Sequence, residues 1–149
     1  MRSQVGDHLI AVMAAHRDFV TGLPDGALAA DLAAPSNSVG SQLWCVVGAR
    51  ESFARAIAVG EWSGFDCSLA SKDRQDRAAV LAALERASRQ VLDVMSAVEW
   101  TPERDDLLLT LLEHEYQHQG QLIRYGYAVP LRFPPSWKDK WGLADRLSG

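Results

Sequence analysis

The sequence predicts an all-α domain: a four-helix bundle with a long crossover connection and a short C-terminal helical tail. Three observations carry that prediction. Apolar residues recur at three- and four-residue steps in four separate stretches, and capping or turn residues bracket each stretch. No segment sustains the period-two alternation of a half-buried strand.

The first stretch, Val5, Leu9, Val12, Met13, His16, Phe19 and Val20, marks an amphipathic helix over roughly residues 3 to 21, stopped by Gly22, Pro24 and Gly26. The second carries Gln42, Cys45, Val46, Ala49, Phe53, Ala56 and Ile57 behind the capping cluster Ser36, Asn37 and Ser38, and ends near Gly60. The third runs from Val80 through Leu84, Ala87 and Val91 to Val98 and is entered through Asp73 or nearby. Thr101 then reads as an N-cap and Pro102 as the first residue of a fourth helix, with Glu103, Asp105 and Asp106 suited to its positive end. That helix should reach about Tyr127 with an inner stripe of Leu107, Leu111, His114, His118, Leu122 and Tyr125. Connections at about residues 22 to 37 and 60 to 75 are longer than bundles usually need, so at least one should cross the bundle end. The brevity of Glu99 to Thr101 instead makes the third and fourth helices antiparallel neighbours. In the tail after Pro130, Trp137 and Trp141 stand at helical spacing, and a short turn packing both indoles on the bundle is expected.

A chain of 149 residues, 48% hydrophobic, suits one domain spanning residues 1 to 149 with a single core. With 15 Lys and Arg against 19 Asp and Glu, and no block of either sign, nothing supports binding to nucleic acid or to a membrane surface. The apolar run Leu9 to Ala15 is too short for a membrane span or an export signal. Cys45 and Cys67 form no spaced framework, so a cytoplasmic protein with both as thiols is expected. Cys67 should lie exposed in its connection.

Chemistry concentrates in Leu-Leu-Glu-His-Glu-Tyr-Gln-His-Gln-Gly-Gln, Leu111 to Gln121. His114 and His118, four residues apart, project from one helical face, and two neutral imidazoles so placed can bind one transition metal. The string also matches His-Glu-x-x-His, the zinc-peptidase motif. That match lacks a His or Glu after His118 to supply the third ligand, and Glu115, about 100° round the helix from His114, should face the rim or solvent. His16 could be a further ligand or a stripe-edge histidine with a local hydrogen bond. Gly120, unusual in mid-helix, should admit a neighbouring helix or a ligand. Gln121 could reach a metal-bound group or bond to another helix.

These residues resemble the DinB/YfiT-like family of small four-helix metal-dependent proteins over nearly the whole chain. Its fourth helix carries His, three residues, His and then Gly-Gln, matched by His114, His118, Gly120 and Gln121. Its second helix opens with a small apolar residue and Gly, followed five residues later by a His. Here Val39-Gly40 is present, and Cys45 stands in the place of that His. The resemblance implies one metal ligand from the second helix and two from the fourth, with coordination positions left for water or substrate. Several members of the family transfer or isomerise with low-molecular-weight thiols such as bacillithiol or mycothiol.

Cys45 is then either a thiolate ligand, completing a Cys-His-His set as in open zinc sites, or an ordinary buried cysteine beside a weakened site. The leading expectation is a divalent ion on Cys45, His114 and His118, zinc before nickel or manganese, with Gln121 toward the bound cofactor. The reaction expected is transfer of a low-molecular-weight thiol to an electrophilic small molecule. Arg124, Arg132 or Lys138 are candidates for holding a substrate carboxylate. The alternatives are a non-catalytic bundle that has lost its first ligand and serves as a dimeric small-molecule-binding or structural module and, third, a zinc peptidase. Homodimerisation fits the family and a surface that carries Trp62 and Trp100.

Overall fold

Residues 2–129 and 131–145 are described by a computed structural model; Pro130, from which the tail was counted, lies outside them. Among the described residues the chain forms five α-helices and no strand: α1 (Arg2–Thr21), α2 (Val39–Val59), α3 (Arg77–Ala97), α4 (Pro102–Ala128) and α5 (Pro135–Trp141). The boundaries follow local chemistry. Ser38 caps α2 by accepting from the Ser41 amide, and Gly60 ends it in the left-handed region at φ 99°. Asp76 rather than Asp73 caps α3, since Asp73 is taken up in a 3-10 turn, Ser71–Asp73. Thr101 and Pro102 open α4 as expected.

The four long helices pack in the ring order α1, α3, α2, α4 and back to α1. Helices α3 and α4 therefore stand across the ring rather than side by side, although the turn between them is short. A tight connection fixes reversal of direction, but burial decides which faces meet. Helix α2 is apolar or buried almost all round, so it takes contacts from both α3 and α4. Side-chain pairings give the directions. Gln42 meets His118 while Ile57 meets Arg104, so α2 and α4 are antiparallel. A Cβ on Gly40 would collide with the Arg74 carbonyl, and Arg50 reaches Leu84, so α2 and α3 run the same way.

The connection from 60 to 76 is pinned along α2. Buried Glu51 accepts from the Ser68 amide at 2.7 Å and its hydroxyl at 2.5 Å, and the Trp44 indole donates to the Leu69 carbonyl. Cys67 is half-buried here, against the Trp44 carbonyl, because Gly48 leaves room for it and for Phe65. The exposed position expected for Cys67 is thus corrected. Arg104 donates to the Ile57 and Ala58 carbonyls, closing the C-terminal end of α2 with a cation from α4.

The apolar core falls into two clusters. One gathers Phe19, Val46, Leu84, Leu122 and Trp137, the other Leu9, Phe53, Val91, Leu108 and Leu111. At or next to the changeover from one to the other, on every long helix, lies a buried or half-buried polar residue: His16, Arg50, Ser88 and Glu115. Trp137 is fully buried, stacked on Phe19 and donating to the Ala15 carbonyl. Trp141 also meets the bundle, edge-on to Tyr116 and donating to the buried Gln119, but remains 44% exposed. A helix of seven residues offers one face to the bundle, and Trp137 fills its buried centre while Trp141 lies at its edge.

Candidate metal centre

Cys45 from α2 and His114 and His118 from α4 converge. Their donor atoms all lie within 4.8 Å of one another, with Cys45 Sγ 3.6 Å from His114 Nε2. Zinc–sulfur and zinc–nitrogen bonds of about 2.3 and 2.0–2.1 Å at a tetrahedral angle set an S···N edge of about 3.6 Å, so that separation fits a shared ion. His118 Nδ1 lies 2.6 Å from Gln42 Oε1. An amide oxygen only accepts, so Nδ1 carries the proton and Nε2 keeps its lone pair. An outer partner of this kind fixes a ligand histidine's tautomer and orientation. Gln42, three residues before Cys45, is a site residue that sequence reasoning placed on the stripe without a role.

Electrostatics suit neutral nitrogen donors. Burial, with help from the neighbouring His114, holds His118 down at about 4, and burial also lowers His114. Burial pushes the Cys45 thiol up, so a cation must displace its proton. His114 Nδ1 and Gln121 Oε1 are buried without a hydrogen-bond partner among the described residues. Cys45 and His114 are only partly buried, leaving the donor set within reach of solvent.

One residue from His114 the surroundings change completely. Glu115, expected at the rim, is 0% exposed. The buried positions of α4 are Leu108, Leu111, Leu112, Glu115, His118, Gln119, Leu122, Tyr125 and Gly126. That stripe runs along Leu111, Glu115, His118 and Leu122, with His114 on its flank. The observed stripe is rotated from the expected one, which was centred on the two histidines: it buries Leu108 and leaves Leu107 only partly buried.

Arg50 clasps Glu115 with two parallel bonds, Nε to Oε1 at 2.6 Å and Nη2 to Oε2 at 2.8 Å. Its Nη1 donates to Ser88 Oγ, and His16 Nδ1 lies 2.8 Å from Glu115 Oε2. The pairing joins α1, α2, α3 and α4. Despite desolvation, Arg50 keeps Glu115 ionised, its pKa well below the usual carboxylate range. His16 is thus a buried, long-range partner of Glu115, neither locally bonded nor one of the three clustered donors. His8 is exposed.

Two further expectations change. Nothing lies within 4 Å of a Cβ on Gly120, whereas one on Gly126 would overlap Phe133, so Gly126 is the close-approach glycine of α4. Lys138 is engaged by Asp145 at 2.5 Å, and Arg124 and Arg132 are exposed. Glu115, with both oxygens taken, is unavailable as the base that the peptidase motif needs. No described helix is long and apolar enough to cross a membrane.

No protein-family model matches the sequence, and no curated protein matches it either.

Proposed function

We propose that the chain is a metal-dependent enzyme of the DinB-like type, joining a low-molecular-weight thiol to an electrophilic small molecule. In this reading the domain is a four-helix bundle whose 60–76 connection is the crossover between the parallel helices α2 and α3, and it works as a cytoplasmic homodimer. The observation that carries the reading is the meeting of one sulfur and two imidazoles at a spacing suited to zinc, with the His118 tautomer already set by Gln42. Cys45, His114 and His118 would hold the ion. A zinc ion bound there supplies Lewis acidity that lowers the pKa of a thiol so that thiolate forms at neutral pH.

The chain's own residues supply the remainder. Gln42 orients His118, burial keeps both imidazoles neutral, and the partly exposed Cys45 and His114 leave a route for a small substrate. The test is elemental analysis of protein purified without a metal-affinity tag, comparing the parent with Cys45→Ser and His118→Ala. About one zinc per parent chain and far less in either variant is expected. Equal, negligible content in all three overturns the reading, leaving the 3.6 Å contact as an S–H···N hydrogen bond in a non-catalytic bundle. A loaded parent would then be screened with small thiols and a reporter electrophile.

A further inference from the structure

A different arginine has what Arg124 and Arg132 lack as holders of a substrate carboxylate, a fixed pose beside the candidate centre. Arg74 closes the 60–76 connection against the first turns of α2. Its carbonyl fills the space that a Cβ on Gly40 would need, so its backbone is seated on that helix. Its side chain is tied at three points: Nε donates to the Ser71 carbonyl at 2.8 Å, Nη2 to Ser71 Oγ, and Nη1 to Ser41 Oγ at 3.3 Å. The guanidinium also lies over the Trp44 ring, 5.6 Å from its centroid, and is partly buried.

This cation has no anion. Arg17, Arg50, Arg77 and Arg89 each meet a carboxylate, whereas no ion pair among the described residues includes Arg74. Of the five N–H groups that a guanidinium carries, one on each terminal nitrogen is left over. Arg74 also stands beside the first turn of α2, the end of a helix dipole that favours negative charge. A guanidinium held in one pose with spare donors is suited to a carboxylate.

Helix geometry sets its distance from the metal donors. Ser41 precedes Cys45 by one turn, and Cβ atoms so spaced lie about 5–6 Å apart. With the 3.3 Å contact to Ser41 Oγ, Arg74 Nη1 is then at most about 11 Å from the Cys45 Cβ. Ser41, Trp44 and Cys45 are all partly exposed, so the path between the two sites runs along the surface. A sulfur on zinc sits about 2.3 Å from the ion, a carboxylate on a two-carbon chain reaches about 5 Å further, and its bond to arginine adds about 2.8 Å. Such a molecule is long enough to bridge from an ion on Cys45 to Arg74.

We propose that Arg74 holds the carboxylate of the thiol substrate, so that the thiols selected at this centre are mercaptocarboxylates. This rests on the thiol-transfer reading and adds to it the class of thiol and the residue that selects it.

Calorimetry on the zinc-loaded protein compares 3-mercaptopropionate with 3-mercaptopropan-1-ol, which match in length and differ in charge. The parent should bind the carboxylate about 10–100-fold more tightly, as a charge-assisted hydrogen bond provides. Arg74→Gln should lose that preference, and Arg74→Lys, which keeps the charge without the fork, should recover part of it. In the parent, the Arg74 Nε–H resonance should move with 3-mercaptopropionate and stay still with the alcohol. Equal affinity of the parent for the two thiols, or a preference that survives in Arg74→Gln, overturns the proposal. A parent that takes up no zinc, or a loaded parent that binds neither thiol, defeats the underlying thiol-transfer reading and the proposal with it. If Arg74→Gln fails to fold, Arg74→Lys and the parent resonance decide the matter.

Discussion

His114 and Glu115 are adjacent in the chain and belong to two opposite kinds of polar site. Around Glu115 nearly every group is used: both carboxylate oxygens, three guanidinium nitrogens, the Ser88 hydroxyl and His16 Nδ1 are hydrogen-bonded, and only His16 Nε2 is left over. Around His114 the groups are short of partners, with orphan atoms on His114 and Gln121 and a thiol whose proton must leave before it can ligate. Saturation identifies the first as architecture, since a buried charge network persists only when its members are paired. Deficit sets the second apart as the candidate metal centre, where Cys45, His114 and His118 could hold an ion.

The largest effect should come from unbalancing the saturated side. Arg50→Met leaves Glu115 buried without its cation and should destabilise the fold by about 3–5 kcal/mol, measured by denaturant unfolding. Adding Glu115→Leu to Arg50→Met should recover most of that loss. If it does not, the pair is more than a balanced charge. The same contrast has a pH form. Glu115 is held below its unfolded pKa of about 4.3, so its contribution is complete above that pH and is lost as pH falls toward the lower folded value. His118, lowered to about 4, adds a loss beginning nearer pH 6.5, where the unfolded ring protonates. Glu115→Gln should flatten only the more acidic limb of a stability-versus-pH curve.

Filling the deficient side comes next. Zinc at about 100 times its Kd should stabilise the parent by about 2.7 kcal/mol, read as a rise in Tm, and should leave Cys45→Ser nearly unmoved. Because both histidines are held neutral and only the Cys45 proton must be displaced, zinc affinity should rise about tenfold per pH unit through the neutral range. A slope near three would show that the imidazoles are protonated as well. Gln42→Ala releases the His118 tautomer and should weaken zinc binding by about 10–100-fold, with a smaller effect on the melt. The smallest effect tests a residue that belongs to neither site. Gly120→Ala meets open space and should gain up to about 1 kcal/mol of helix stability with unchanged zinc affinity.

The helices were legible in the sequence because their signals are local. Ser38, Gly60, Thr101 and Pro102 act within one turn of themselves, and the structure uses each where it was expected. The two candidate imidazole donors were legible for a related reason, since the i, i+4 spacing of His114 and His118 fixes them on one side of α4 whatever the helix packs against. Periodicity placed Cys45 on the inner stripe of its helix, and only the resemblance to DinB-like second helices suggested it as a ligand.

What the tertiary structure decided is how each helix is turned and which helices touch. A histidine pair on a helix flank and one on its buried axis have the same spacing, so the sequence could not tell that Glu115, not His114, lies at the centre of the stripe. That rotation was set by Arg50 sixty-five positions away, because an ionised carboxylate enters a core only where a cation meets it. The ring order had the same cause: turns dictate direction, whereas the nearly all-round burial of α2 placed it between α3 and α4. Local hydrogen bonding belongs to the sequence alone. The pairing of buried charges across helices belongs to the fold, because it depends on distances that spacing along the chain does not contain.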